Sequence, residues 1–310
     1  MDMQGALIID KPAGLTSHDV VARVRRIVKT RRVGHAGTLD PFATGVLVVC
    51  VGYATRLTQF LVGLDKRYTA TIRFGYATDT HDITGKPVTP VVSSKQLKAQ
   101  DVTAVLLEFT GPQMQVPPMY SAKKIAGERL YHAAREGRDL ERAASPVTVY
   151  AMSLVDESGG FLANPDGTLD ATIDVHCSSG TYIRRLAHDI GVRLELGAHL
   201  VALRRESVGP HRIEHSVTLN RLEDFNELGQ LRNVLLSPAD TVIHLPRLEL
   251  TDEELKRVRN GREILLNREV IRLPEGIGVV ALCNQKGDLQ AVGELAPGRT
   301  AVKPQMVLAT

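Results

Sequence analysis

The run GVLVVCVG, residues 45–52, constrains the fold more than any other feature of this 310-residue chain. Residues 46–51 are all apolar, with no polar alternation, so neither face can be given to water. Such a run predicts a short strand inside a sheet that is covered on both sides. Directly before it stands RRVGHAGTLDPFAT, a basic pair and then a glycine-rich turn with one acid, Asp40. Pro41 biases Asp40 towards extended backbone, and Gly34, Gly37 and Gly45 let the chain turn closely around it. By propensity alone, an aspartate there is a turn former bonding its own backbone. The alternative is a carboxylate held at a fixed distance from a substrate. Buried, it needs a cationic partner, or its pKa rises.

Length allows one large domain plus a small one, or two medium ones. Composition is that of a globular protein, 43% hydrophobic and 24% charged. The opening MDMQGALIIDKPAG lacks the apolar core of a signal peptide, and no apolar run reaches membrane-span length. Three separated cysteines, Cys50, Cys177 and Cys283, argue against a disulfide framework. These features predict a reduced, cytoplasmic protein. The histidines show no zinc-ligand spacing with the cysteines. The glycines of HAGTLDPFATG have neither a Walker lysine nor dinucleotide spacing. No metal and no organic cofactor are expected. Net charge is +3, but six basic residues and no acid lie between Val20 and Gly34 (Arg23, Arg25, Arg26, Lys29, Arg31, Arg32). Such a cluster suits a polyanion such as nucleic acid, or is a solvated helix face.

LIIDKPAGLTSHDVVARVRRIVKTRRVG reads as strand, turn and helix, with Thr16 and Asp19 as a capping box and Val20, Val21, Val24, Ile27 and Val28 on one face. YTATIRFG alternates as a strand. TDTHDITGKPV is an acidic turn, and SSKQLKAQDVTAVLLEFTG a helix stopped at Gly111–Pro112. Residues 112–146 open with prolines and carry charges of both signs, as an insertion projecting from the body would. GTYIRRLAHDIGVRLELG is a helix with Ile183, Leu186, Ile190 and Leu194 as its apolar stripe. After residue 246 the texture changes to one capped helix and short strands with glycine turns.

Five segments in order, GHAGTLDPFATGVLVVCVGYATRL, DKRYTA, PPMYSAKKIAGERLYHAAR, CSSGTYIRRLAHDIG and GAHLVALRRESVGP, resemble the motifs of TruB-type tRNA pseudouridine synthases. The resemblance spans residues 5 to about 245, and the rest looks like that family's PUA-type RNA-binding appendage. It implies a fold of class α/β (α+β): a mixed, largely antiparallel sheet with flanking helices, an inserted thumb-like segment and a small β-rich PUA-like C-terminal domain. The expected division is 1–246 for catalysis, with 112–146 as an RNA-clamping insertion, and 247–310 for RNA binding. The implied reaction turns uridine 55 in the T loop of tRNA into pseudouridine without a cofactor. Asp40 acts as nucleophile at C1′ or takes a proton from the sugar, and Arg184 is its ion partner, holding its pKa down. Tyr68 stacks on the uracil. Tyr182 and Leu203 match base-contacting positions, and Lys11 braces the site floor. His35 fills the space left by the extruded base. Lys123, Lys124 and Arg129 clamp the T arm through phosphates, and Arg204 and Arg205 bind backbone or are solvated. The expected partner is the tRNA T stem-loop, with no membrane, no obligate protein partner and a monomeric state. Two other readings stay open: an RNA-binding or tRNA-folding factor, and a uridine-nucleoside hydrolase pairing Asp40 with Asp79 or Asp82.

Overall fold

The computed structural model describes residues 3–119, 124–125, 128–129, 138, 140–155, 161–266 and 278–308. Strands are numbered in chain order. The body contains β1 (Gly5–Lys11), β2 (Val33–His35), β3 (Thr44–Val51), β4 (Lys66–Phe74), β5 (Gly111–Gln115), β6 (Lys124–Ile125), β7 (Glu128–Arg129), β8 (Ser145–Leu154), β9 (Phe161–Ala163), β10 (Leu169–Cys177), β11 (Ala198–Val208), β12 (His211–Arg212) and β13 (Val217–Thr218). One sheet runs in the order β13-β1-β3-β11-β4-β10-β8-β5, with β2, β9 and β12 paired off this path. Its parallel pairings among the described residues are β1 with β13 and β3 with β11. The others are antiparallel, so the sheet is mixed and largely antiparallel as expected.

The apolar run behaves as its pattern demands. All of residues 46–51 are fully buried. Val46, Val48 and Cys50 enter one core, while Leu47, Val49 and Val51 enter another on the opposite face. Burying each of the larger side chains is worth about 1.5–3 kcal/mol, an upper bound because unfolded chains already bury some surface. The second core is roofed by the helix Ser17–Ile27, whose buried side chains include Val20, Val21, Val24 and Ile27. Its capping box is present: Thr16 Oγ1 accepts from Asp19 N, and Asp19 Oδ2 accepts from Thr16 N. A third core lies under β4 and β10 and is covered by helices Ala99–Glu108 and Ile183–Arg193.

Two boundaries differ from expectation. The helix expected over residues 93–110 begins only at Ala99. The segment expected to project from Pro112 onward starts inside the body, because Gly111–Gln115 is an edge strand paired with β8. An edge tolerates Pro112, whose missing N–H can face away from the ladder.

Beyond residue 246 a second sheet forms, ordered β14-β16-β17-β18-β15, from β14 (Arg247–Glu249), β15 (Ile264–Leu265), β16 (Val279–Cys283), β17 (Leu289–Leu295) and β18 (Ala301–Val307). It does not hang free. Ala281, Cys283, Val292 and Met306 share a core with Ala54, Leu57 and Leu61 of the body, and Arg56 donates to the Val307 carbonyl. The three cysteines are buried free thiols. No helix among the described residues is long and apolar enough to cross a membrane.

The β3–β11 seam is closely packed. Gly45 lies opposite Arg205 with φ +100°, and a Cβ there would overlap the Arg205 backbone. Gly45→Ala should therefore lower unfolding free energy by about 2 kcal/mol or more. A denaturant melt checks this, and an unchanged midpoint would refute the seam assignment.

Candidate active site

Asp40 sits in the turn between β2 and β3, and several groups fix that turn from below. The guanidinium of Arg205 is 1% exposed. It donates to Val46 O at 2.7 Å, Gly37 O at 3.1 Å and Thr38 O at 3.4 Å. Ser17 Oγ accepts from Leu39 N at 2.9 Å and donates to Leu39 O at 3.2 Å. The fully buried Lys11 donates from Nζ to the carbonyls of Pro12, Leu15 and Pro41. Burial pushes the Lys11 pKa down to about 8, against the opposing pull of Asp40. Lys11 thus ties the opening turn to the Asp40 turn.

Arg184 reaches Asp40 from the first turn of the helix Ile183–Arg193. Nε lies 2.8 Å from Oδ2 and Nη2 lies 3.2 Å from Oδ1, a two-pronged pair. The Arg184 side chain is only 4% exposed, whereas Asp40 keeps 32% of its own surface open. The carboxylate is gripped from behind and free in front. Behind Arg184 stands a second acid. Asp82 Oδ2 lies 3.4 Å from Nη1, which also donates to Thr80 O at 3.1 Å. Asp82 is 3% exposed, so it is not the solvated turn residue its sequence context predicts. Its Oδ1 accepts from Thr80 Oγ1, Thr84 N and Thr84 Oγ1. Asp79 faces elsewhere and accepts from Lys86 N.

This second acid changes the electrostatics. Arg184 alone was expected to hold the Asp40 pKa down. Instead the pKa is raised above its ordinary 3.8, because burial outweighs Arg184 and the Asp82 charge adds to the rise. One guanidinium is shared between two carboxylates.

The wall beside Asp40 is apolar and aromatic. Leu203 is 7% exposed, in the same core as Leu39 and Ala43, and Tyr68 and Phe42 pack against it. Tyr68 is half-buried on β4. Burial raises its phenol pKa, so it is a neutral ring rather than a base. Tyr182 precedes the Arg184 helix, and its backbone is pinned by Gln115, which accepts from Tyr182 N at 2.7 Å and donates to Tyr182 O at 3.1 Å. His35 lies edge-on to His18, with ring centroids 5.4 Å apart. Burial, with help from His18 and Arg205, pushes the His35 pKa down to about 4, leaving a neutral ring.

Other expectations part from the structure. Arg204 and Arg205 are not arranged to bind phosphate. Arg204 is paired with both oxygens of Asp10, at 3.1 and 3.0 Å, and Arg205 is sealed under the turn. Within the basic run, Arg23 pairs with Glu223 and Arg25 donates to Val33 O. Lys123 lies outside the described residues, and so do the side chains of Lys124 and Arg129, whose backbones pair across β6 and β7. Sequence reasoning missed Ser17, Thr80, Gln115 and the bracing role of Arg205. Only Ser17 carried a local signal, as the residue just after a helix cap.

The candidate site is thus an ion-paired carboxylate, open on one side, beside a neutral aromatic ring. A model described as "TruB family pseudouridylate synthase (N terminal domain)" matches residues 25–183, and one described as "tRNA pseudouridylate synthase B C-terminal domain" matches residues 184–244. A "tRNA pseudouridine synthase B" of Geobacter sulfurreducens is 45% identical over 90% of this chain and 88% of its own length. One of Saccharophagus degradans is 41% identical over 98% and 96%. Among solved structures, an H/ACA RNP bound to a substrate RNA containing 2′-deoxyuridine is 26% identical, with TM-score 0.72, over 99% of this chain and 85% of that one. A Cbf5-Nop10-Gar1 complex is 28% identical, also with TM-score 0.72, over 98% and 85%. The chain belongs to the TruB family of pseudouridylate synthases.

A raised pKa moves the loss of the ionised form of Asp40 to higher pH than for an exposed aspartate. Asp82→Asn removes the negative charge that contributes to the rise. It should shift the acid limb of the kcat–pH profile to lower pH while reducing kcat about tenfold through a loosened Arg184. An unmoved limb would show that Asp82 does not act on Asp40.

Proposed function

We propose that this enzyme isomerises uridine to pseudouridine at position 55 in the T loop of tRNA, with Asp40 attacking C1′ of the flipped nucleotide. The observation that carries this reading is the open face of Asp40, held by a sealed Arg184 beside the Tyr68–Leu203 wall. The glycosidic bond breaks as the Asp40–C1′ ester forms. The uracil leaves with the bonding pair on N1 and turns, C5 displaces the carboxylate, and the C5 proton is lost while N1 takes one up, so the product is an isomer of the substrate. No atom enters from water, so a dry, apolar wall protects the intermediate. Tyr68 would stack on the uracil, with Leu203 and Tyr182 bounding it. His35 as a neutral ring would occupy the gap left in the loop, and flipping there costs only a few kcal/mol.

The names of the relatives support tRNA as substrate, and the family resemblance supports the T loop. In this reading residues 1–246 are the catalytic part, Lys123, Lys124 and Arg129 clamp the T arm, and residues 247–310 are a PUA-like RNA-binding module. The protein acts as a monomer where tRNA is found, in the cytoplasm. A hydrolase would need a second carboxylate free to activate water. Asp82 is buried, with both oxygens engaged, and does not offer one.

Asp40→Asn keeps the side-chain shape and removes the charge. It should still bind an unmodified tRNA transcript yet form no pseudouridine, with wild type modifying one T-loop position and releasing no free uracil. Product from the variant refutes the nucleophile, and released uracil would favour hydrolysis. Separately, tRNA affinity should fall steeply with added salt, by a log–log slope of about −0.9 for each duplex phosphate neutralised. A flat response would leave the basic clusters with no contact to RNA.

A further inference from the structure

His81 departs from what its backbone favours. Its φ is +61°, the left-handed region where glycine or asparagine is the usual occupant. A bulky residue held there costs about 1–3 kcal/mol unless its surroundings require it, and such residues gather at functional sites. Here the surroundings do require it. The imidazole stacks on His188 with ring centroids 4.1 Å apart and planes 9° from parallel. Neither Nδ1 has a hydrogen-bond partner among the described residues, so the two rings meet face to face rather than through polar atoms.

The two histidines are neighbours of the machinery on both sides. His81 stands between Thr80, whose carbonyl accepts from Arg184 Nη1, and Asp82, whose carboxylate pairs with the same nitrogen. His188 is four residues after Arg184, one turn along the same helix face. The His81 carbonyl also accepts from Leu200 N at the start of β11. The stack therefore joins the loop that holds Nη1 to the helix that carries Arg184.

We propose that the His81–His188 stack is a positioning device: it locks the Thr80–Asp82 segment onto Arg184 and so fixes the direction in which Arg184 presents Asp40. The inference rests on the reading of Asp40 as the nucleophile. It requires that the two rings are not both charged, since two stacked imidazolium ions repel. The charged groups facing the pair are Arg142, Arg184 and Arg185 around His81, and Arg185 and Asp189 around His188. The cations outnumber the one acid, and burial adds to them, pushing the His81 pKa down to about 3 and lowering that of His188. Both shifts favour the uncharged rings.

The test separates positioning from folding. His81→Gly suits the left-handed backbone but loses the ring. Its thermal midpoint should be equal to or above that of the parent, yet kcat should fall about tenfold, with KM for T-arm RNA little changed. The acid limb of its pH profile should move to lower pH, because Asp82 no longer bears on Asp40. His188→Ala should behave alike in rate and pH profile. His188→Phe, which keeps an aromatic face and cannot titrate, should recover kcat to within about threefold of the parent. Parent-like kcat in both His81→Gly and His188→Ala would overturn the proposal. So would losses that track only the folded fraction, with an unmoved acid limb. Asp40→Asn run alongside keeps the two readings distinct: activity in that variant overturns the nucleophile, whereas its inactivity beside fully active histidine variants overturns only the stack.

Discussion

The two-pronged pair between Arg184 and Asp40 joins residues 144 positions apart, and the rest of the structure is arranged to hold it. A buried guanidinium loses its hydration, and such a loss is recovered only where the geometry is good and every donor is satisfied. Arg184 meets that condition through Asp40, Asp82 and the Thr80 carbonyl. Asp40 is left with one open face. Burial and the Asp82 charge raise the Asp40 pKa against the pull of Arg184, so the carboxylate is a stronger base than one paired with Arg184 alone. Sharing the cation with Asp82 and withdrawing water raise its basicity while the pair still fixes its direction.

The same economy runs through the floor. Arg205 and Lys11 are buried cations, and their recorded hydrogen bonds run chiefly to backbone carbonyls. They hold two turns in register without a carboxylate that would compete with Asp40 for Arg184. Arg205 also adds positive potential at His35, in keeping with its lowered pKa, to which burial contributes most. The β3–β11 seam carries this arrangement, because it lays the Asp40 turn directly beside the strand bearing Leu203 and Arg205.

Much of the fold was legible from local pattern. The buried run of β3, the capped first helix, the alternation of β4 and the stripe on the Arg184 helix are all signals of period and cap, which depend on neighbours within a few residues. The misreadings share one cause. Asp82 looks like an acid in a polar turn until Thr80, Thr84 and Arg184 close around it. Arg204 and Arg205 look like a surface pair until Asp10 and the turn carbonyls claim them. Residues 112–115 look like the start of a projecting insertion until β8 pairs with them. In each case the deciding partner is distant in the chain.

The sequence by itself determined which segments are strands and helices, where the stiff turn around Asp40 falls, and, through five ordered motifs, which family the chain resembles. Those properties follow from side-chain period, glycine and proline stereochemistry, and spacing. Only the tertiary structure decided that Asp40 shares its arginine with Asp82, that its pKa is raised rather than lowered, and that two histidines stack behind the pair. These depend on burial and on distances of about 3–4 Å between side chains from different strands and loops. No local pattern encodes such distances, because they exist only once the sheet has closed.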